Sequence, residues 1–243
     1  MKKLSLLVGG IILSGAVLAQ KPSSDVPMTL EGQLGITNPA GGAGLDFVAP
    51  SVRFRYFLTD NIAARVTLGI NSTSSTNTVY ENADFSGATG EYMIRNAAWN
   101  AAVGAEYHFA GTDRLSPYVG LDVIFGGAKT TTEGTNTDGT GSAYVADVSF
   151  NSEDPRSIFG VGLALGTDFY FAENFYVGVE MGMAWANVTT KPGSYENTAG
   201  GTTTSGDLNG ESKDGQFVTG SLPNNVGLAG LTPTGNLRLG WRF

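Results

Sequence analysis

Five arginines and five carboxylates in this chain are placed so that they could meet: Arg53, Arg55, Arg65, Arg238 and Arg242, with Glu31, Glu106, Asp122, Asp168 and Glu180. Equal numbers of opposite charges can neutralise one another in a confined space, where an isolated charge is costly. Such a set serves as a salt-bridged plug, or as the lining or gate of a narrow polar pathway. The one histidine, His108, lies two residues beyond Glu106. A histidine with a serine could deacylate lipid, but no serine neighbours His108 in sequence, so a satisfied interior histidine is the expected reading. No nucleophile elbow, phosphate loop or defined pair of catalytic carboxylates is present. The segment Gly-Leu-Ala-Leu-Gly at 162–166 is glycine alternation, not a phosphate cradle.

These charges need strands to position them. Val52, Phe54, Tyr56 and Leu58 alternate with Ser51, Arg53 and Arg55, with Phe57 breaking the pattern. After Thr59-Asp60-Asn61 the pattern resumes: Ile62, Ala64, Val66, Leu68 and Ile70 oppose Ala63, Arg65, Thr67 and Gly69. Period two over such lengths is a strand signal, and the short polar break is a hairpin turn. The same unit recurs at 28–36, 97–109, 118–125, 158–171, 175–185 and 236–243, which makes eight strands. Their charges fall on the face opposite the apolar one. Tight connections are expected near 59–61, 110–116 and 172–174. Long ones, rich in Gly, Thr, Ser and Asn, are expected near 37–46, 71–95, 127–157 and 187–233. Even strand number with short turns at one end and long loops at the other predicts an all-β, antiparallel, up-and-down transmembrane β-barrel. A closed barrel leaves no backbone group unpaired in lipid.

Composition agrees. The 243 residues carry a formal net charge of −8 and no cysteine. Disulfides, thiolate metal sites and cysteine nucleophiles are excluded, a single histidine excludes multi-histidine metal sites, and no cofactor is expected. The acidic balance argues against nucleic acid as a partner. Lys2 and Lys3, the apolar run Leu4 to Leu18 and the small residues Val17 and Ala19 read as a secretory signal peptide cleaved after Ala19. The remainder divides into a short periplasmic segment at 20–27 and a barrel domain at 28–243. Without the leader the chain carries 12 basic and 22 acidic side chains, and the long connections hold −9 of the resulting −10. That charge suits solubility beside an anionic leaflet, or a surface for divalent cations or a partner.

Aromatics gather at two levels. Tyr56, Tyr107, Phe169, Phe171 and Phe175 lie near the short turns; Trp99, Phe125, Phe159 and Trp185 lie near the long loops. They are the expected interface girdles. From the strand-turn-strand segment "RFRYFLTDNIAARVTLGI" and the ending "LRLGWRF", the mature chain resembles the small eight-stranded outer-membrane β-barrels, the porin-like proteins of the OmpA, OmpX and OmpW kind. The resemblance implies an integral outer-membrane protein in contact with lipid. It also implies that Leu237, Leu239, Trp241 and Phe243 form the terminal signal read by the barrel-assembly machinery, although Arg238 stands where that motif usually has glycine. It leaves function open among a filled structural barrel with loop-mediated contacts to an extracellular or outer-membrane protein, a small porin, and, least favoured, a lipid-modifying enzyme.

Overall fold

The alternation becomes eleven antiparallel strands in the computed structural model, which describes residues 26–37, 46–208, 210–219 and 234–243. The expected leader and cleavage point, and parts of the first and fourth long connections, lie outside the described residues. The strands are β1 (Met28–Thr37), β2 (Asp46–Phe57), β3 (Ile62–Tyr80), β4 (Thr89–His108), β5 (Leu115–Thr137), β6 (Tyr144–Tyr170), β7 (Phe175–Thr190), β8 (Gly193–Ala199), β9 (Thr202–Leu208), β10 (Ser212–Thr219) and β11 (Thr234–Arg242). The first seven and β11 close into a ring of eight, because β7 pairs with β6 on one side and β11 on the other, and β11 pairs with β1. The chain ends zip together at closure: the Met28 and Phe243 amides exchange bonds with each other's carbonyls at 3.3 and 3.0 Å.

Three tight turns define one rim. At the first, Thr59 Oγ1 accepts the Ile62 amide at 3.0 Å, and Asn61 Nδ2 donates to the His108 carbonyl at 2.9 Å. At the second, Thr112 Oγ1 accepts the Leu115 amide at 3.1 Å. The third is closed by paired backbone bonds between Ala172 and Phe175, each 3.4 Å. Such short polar turns mark the periplasmic rim of a membrane barrel.

The wall is inverted relative to a soluble protein. Val52, Leu68, Leu121, Leu165 and Leu239 point outward and are 52–63% exposed, while Arg55, Arg238 and Asp168 are 0% exposed. A continuous apolar exterior of this kind is stable only against lipid. Trp99, Phe125, Phe159 and Trp185 occupy neighbouring outward positions on β4 to β7, and the Phe125 and Phe159 rings meet edge-on at 5.6 Å. Tyr56, Tyr107, Phe169, Phe171, Phe175, Trp241 and Phe243 form the lower belt, all exposed. Along β6 the belts are the distance from Phe159 to Phe169. That is about 33 Å of strand, or about 25 Å of height at a tilt near 40°, which matches an apolar band.

The outer region differs from expectation. The segments 71–95 and 127–157 are mostly strand: β3 to β6 run 19, 20, 23 and 27 residues, whereas a tilted strand crosses a bilayer in about ten. The true connections are the tips at 81–88 and 138–143. Thr and Ser on both faces hide the period-two pattern, but a hydrated two-sided sheet needs no apolar face, and β-branched Thr suits a strand. The fourth connection contains β8, β9 and β10, and the run Thr202 to Gly206 lies in β9. Above Lys191, whose amide donates to the Pro155 carbonyl at 2.9 Å, β6 exchanges β7 for β8 as its partner. A bulge near the β5–β6 tip places Asn136 and Asp147 at φ of 50° and 57°, conformations that Asn and Asp tolerate best among side chains bearing a Cβ.

Candidate functional site

Strand register aims one row of charges into the lumen from every side of the ring. Arg53 on β2 reaches across to Glu180 on β7, with its terminal nitrogens 2.7 and 2.9 Å from the two carboxylate oxygens. Its Nε donates to Thr67 at 2.9 Å. Arg55 lies 2.6 Å from Glu31, 3.0 Å from Glu106 and 2.8 Å from Asp168, so one guanidinium ties β2 to β1, β4 and β6. Arg65 on β3 binds Glu106 at 2.7 Å, approaches Glu180 at 3.3 Å and grips Asp122 through Nε and Nη2. Arg238 on β11 binds Glu31 at 3.0 Å and Asp168. Planar guanidinium forks meet carboxylates in paired, charge-assisted bonds, the strongest hydrogen bonds available to side chains.

Nine of the ten charged residues singled out by sequence thus form one network, and Arg242 is buried on the same face toward the periplasmic rim. Tyr118 donates its hydroxyl to Glu180, and its ring lies 5.0 Å from the Arg238 guanidinium. Arg55 packs over Tyr176 at 5.1 Å and Phe57 at 5.7 Å. Phe57, which broke the apolar alternation, therefore points inward and is buried. Each of the five carboxylates meets at least one arginine.

Glycine makes room for these large groups. A Cβ at Gly120 would strike the Arg65 guanidinium, one at Gly166 the Tyr118 hydroxyl end, and one at Gly240 the Tyr176 ring. Inward glycine is here a cradle for a neighbour's side chain. Above the charges the lumen turns apolar: Ile124 touches Ala102 and Ala184, and Ile158 packs with Ala186 and Val188, all buried. No sequence pattern marks this layer, because alanine and glycine alternation looks alike whether a lumen is open or filled.

His108 has a serine after all. Its Nδ1 lies 2.9 Å from Ser116 Oγ and its Nε2 3.1 Å from Glu106 Oε2. The two residues are eight apart, on opposite sides of the β4–β5 turn, so pairing register is the signal that finds Ser116. The atoms resemble a serine–histidine–acid relay. However, Ser116 is 2% exposed, His108 is clasped between Phe57 and Tyr118 at 5.0 and 5.2 Å, and Glu106 is held by arginines. No acyl group reaches this serine in the arrangement described.

The C-terminal positions Leu237, Leu239, Trp241 and Phe243 all point outward from β11 and the residue after it, 44–58% exposed. Trp241 and Phe243 lie 4.8 Å apart.

A model of a putative OmpA-OmpF-like porin family matches residues 49–199, more than half of the chain. No curated protein matches the sequence. Among solved structures, Ail, the attachment invasion locus protein of Yersinia pestis, is 15% identical; the alignment covers 89% of this chain and 97% of that one, with a TM-score of 0.38. CarO of Acinetobacter baumannii is 12% identical over 90% and 99% of the two chains, with a TM-score of 0.38. The N-terminal barrel of Pseudomonas aeruginosa OprF is 16% identical over 88% and 97%, with a TM-score of 0.27.

Proposed function

This chain belongs to the putative OmpA-OmpF-like porin family, a bacterial outer-membrane β-barrel in contact with lipid, and on that premise we propose that it is a filled, non-enzymatic barrel whose work is done by its extracellular strands. One observation carries the reading. The ion pairs that join all eight strands of the ring, β1 to β7 and β11, cross the lumen with side chains 0–1% exposed, save Asp122 at 11%. An eight-stranded barrel is just wide enough for its own side chains to fill. A solute would have to part several charge-assisted bonds at once and then displace the Ile124 layer. The membrane-spanning part is then an anchor, and the long strands β3 to β6, with β8 and β9, form a surface for a protein partner outside the cell.

The porin reading places the same arginines along a pathway. Swelling of liposomes loaded with the refolded barrel separates the two. A filled barrel leaves the swelling rate in small sugars and amino acids at that of protein-free liposomes. Swelling that rises with the protein-to-lipid ratio overturns the proposal.

A further inference from the structure

Among the described residues, the outer sheet ends in two bare edges. Above Gly69, β3 pairs only with β4, and β9 pairs only with β8, among the described residues. Every side chain from Ser72 to Thr78 is exposed, and so are those of β9 apart from Gly206. An edge strand offers a row of unpaired N–H and C=O groups, and monomeric proteins usually protect it with lysine, proline or a bulge. Neither edge here carries any of these: the β3 edge is Ser-Thr-Ser-Ser-Thr-Asn-Thr at 72–78, and β9 is Thr-Thr-Thr-Ser-Gly-Asp-Leu.

We propose that these edges pair with each other between copies of this chain, β9 of one barrel adding to β3 of its neighbour in the same membrane. Strand direction selects this occupant. From the periplasmic turn at 58–61, β3 runs outward. β6 runs inward, so its antiparallel partner β8 runs outward and β9 runs inward. When two barrels stand the same way up, β9 of one and β3 of the other are therefore antiparallel, the better hydrogen-bonded arrangement. Antiparallel pairing of β9 with β9, or β3 with β3, needs one barrel inverted, which a single membrane forbids. Composition agrees. The β3 edge bears no charge and β9 bears only Asp207, so no like charges face one another, and Thr and Ser make favourable cross-strand pairs. Because the two surfaces differ, the contact is heterologous and builds rows or rings rather than closed pairs. This rests on the interaction role given above to the outer strands and is independent of whether the lumen conducts.

The absence of cysteine allows a direct test. Two differently tagged copies, one Thr76→Cys and one Ser205→Cys, are co-expressed and treated in isolated outer membranes with a short thiol cross-linker. A Thr76→Cys/Thr76→Cys pair, a Ser205→Cys/Ser205→Cys pair and Asp113→Cys on the periplasmic turn serve as comparisons, and folding of each variant is checked by its heat-dependent shift on a gel. The expected result is a 76–205 product several-fold above every comparison, abolished when Thr202→Lys and Thr204→Lys are added to the β9 copy. A 76–205 yield no higher than that of the comparisons, or a product insensitive to the lysines, overturns the proposal. A silent barrel that fails to cross-link, or a conducting barrel that does, tells failure of this pairing from failure of the filled-lumen reading.

Discussion

Removing the Glu180 carboxylate leaves charge stranded in the middle of the barrel. In the native lumen it accepts from both terminal nitrogens of Arg53 at 2.7 and 2.9 Å, lies 3.3 Å from Arg65 and takes the Tyr118 hydroxyl bond. Glu180→Met removes the paired bonds to Arg53, whose guanidinium also lies 3.6 Å from Glu106. Breaking a buried pair from one side costs about 3–5 kcal/mol, because the remaining charge stays desolvated. Arg53→Met costs a similar amount. The double variant Arg53→Met/Glu180→Met buries two apolar side chains of comparable length, and replacing a whole pair is often near neutral. It should therefore be less destabilised than the sum of the singles by at least about 2 kcal/mol, the coupling expected of residues in direct contact. Urea unfolding in lipid vesicles, followed by tryptophan emission and the heat-dependent gel shift, reads this out. With a denaturant slope of about 2 kcal/mol/M, each single variant lowers the midpoint by about 2 M. Singles that cost below about 1 kcal/mol, or a double equal to the sum, would refute the view that the network is a desolvated, mutually dependent structural unit.

Gly240→Val puts a branched side chain where the Tyr176 ring lies; a loss of about 1–3 kcal/mol from overpacking is expected in the same unfolding assay, and an unchanged midpoint would show that the ring does not rest there. Asp138 at the β5–β6 tip accepts the Ser142 amide at 2.8 Å and the Thr140 amide at 3.2 Å, and these bonds hold its carboxyl below the ordinary aspartate range. A lowered folded-state value means that its contribution is complete above the ordinary range and fades as pH falls through the folded value. Hydrogen exchange at Thr140 and Ser142 should accordingly gain protection with rising pH relative to Asp138→Asn, and identical protection in the two proteins would discount the cap. Phe243→Ala should lower the amount of folded protein in outer membranes yet leave refolding from urea into detergent intact, as a loss of recognition by the assembly machinery requires; a matching defect in detergent would make Phe243 a stability residue only.

The fold was largely legible because a barrel in lipid obeys one rule at every strand. Tyr56 and Arg55 must face opposite media, and the short turn at Thr59–Asn61 fixes which residues share a level. The inward charges could be placed on one face for the same reason. Which charge meets which could not, since Arg53 and Glu180 lie 127 residues apart and their contact depends on the curvature of the closed ring. Ser116 is not legible as a partner of His108 from sequence neighbourhood, because the two meet across the β4–β5 turn through strand register. The outer strands read as loops in the sequence because alternation reports a boundary between oil and water, and residues such as Thr73 to Asn77 have water on both faces. Phe57 looked like a flaw in the pattern and is instead part of the lumen packing around His108 and Arg55.

Single-channel recording in planar lipid bilayers tests the filled lumen most directly. The folded native barrel should leave the membrane silent, and the double variant Arg53→Ala/Arg238→Ala, which removes two of the cross-lumen ties, should lower stability. Reproducible conductance steps from the native protein, absent from a mock preparation and altered in selectivity by the same two substitutions, would contradict this and make the arginines the lining of a channel.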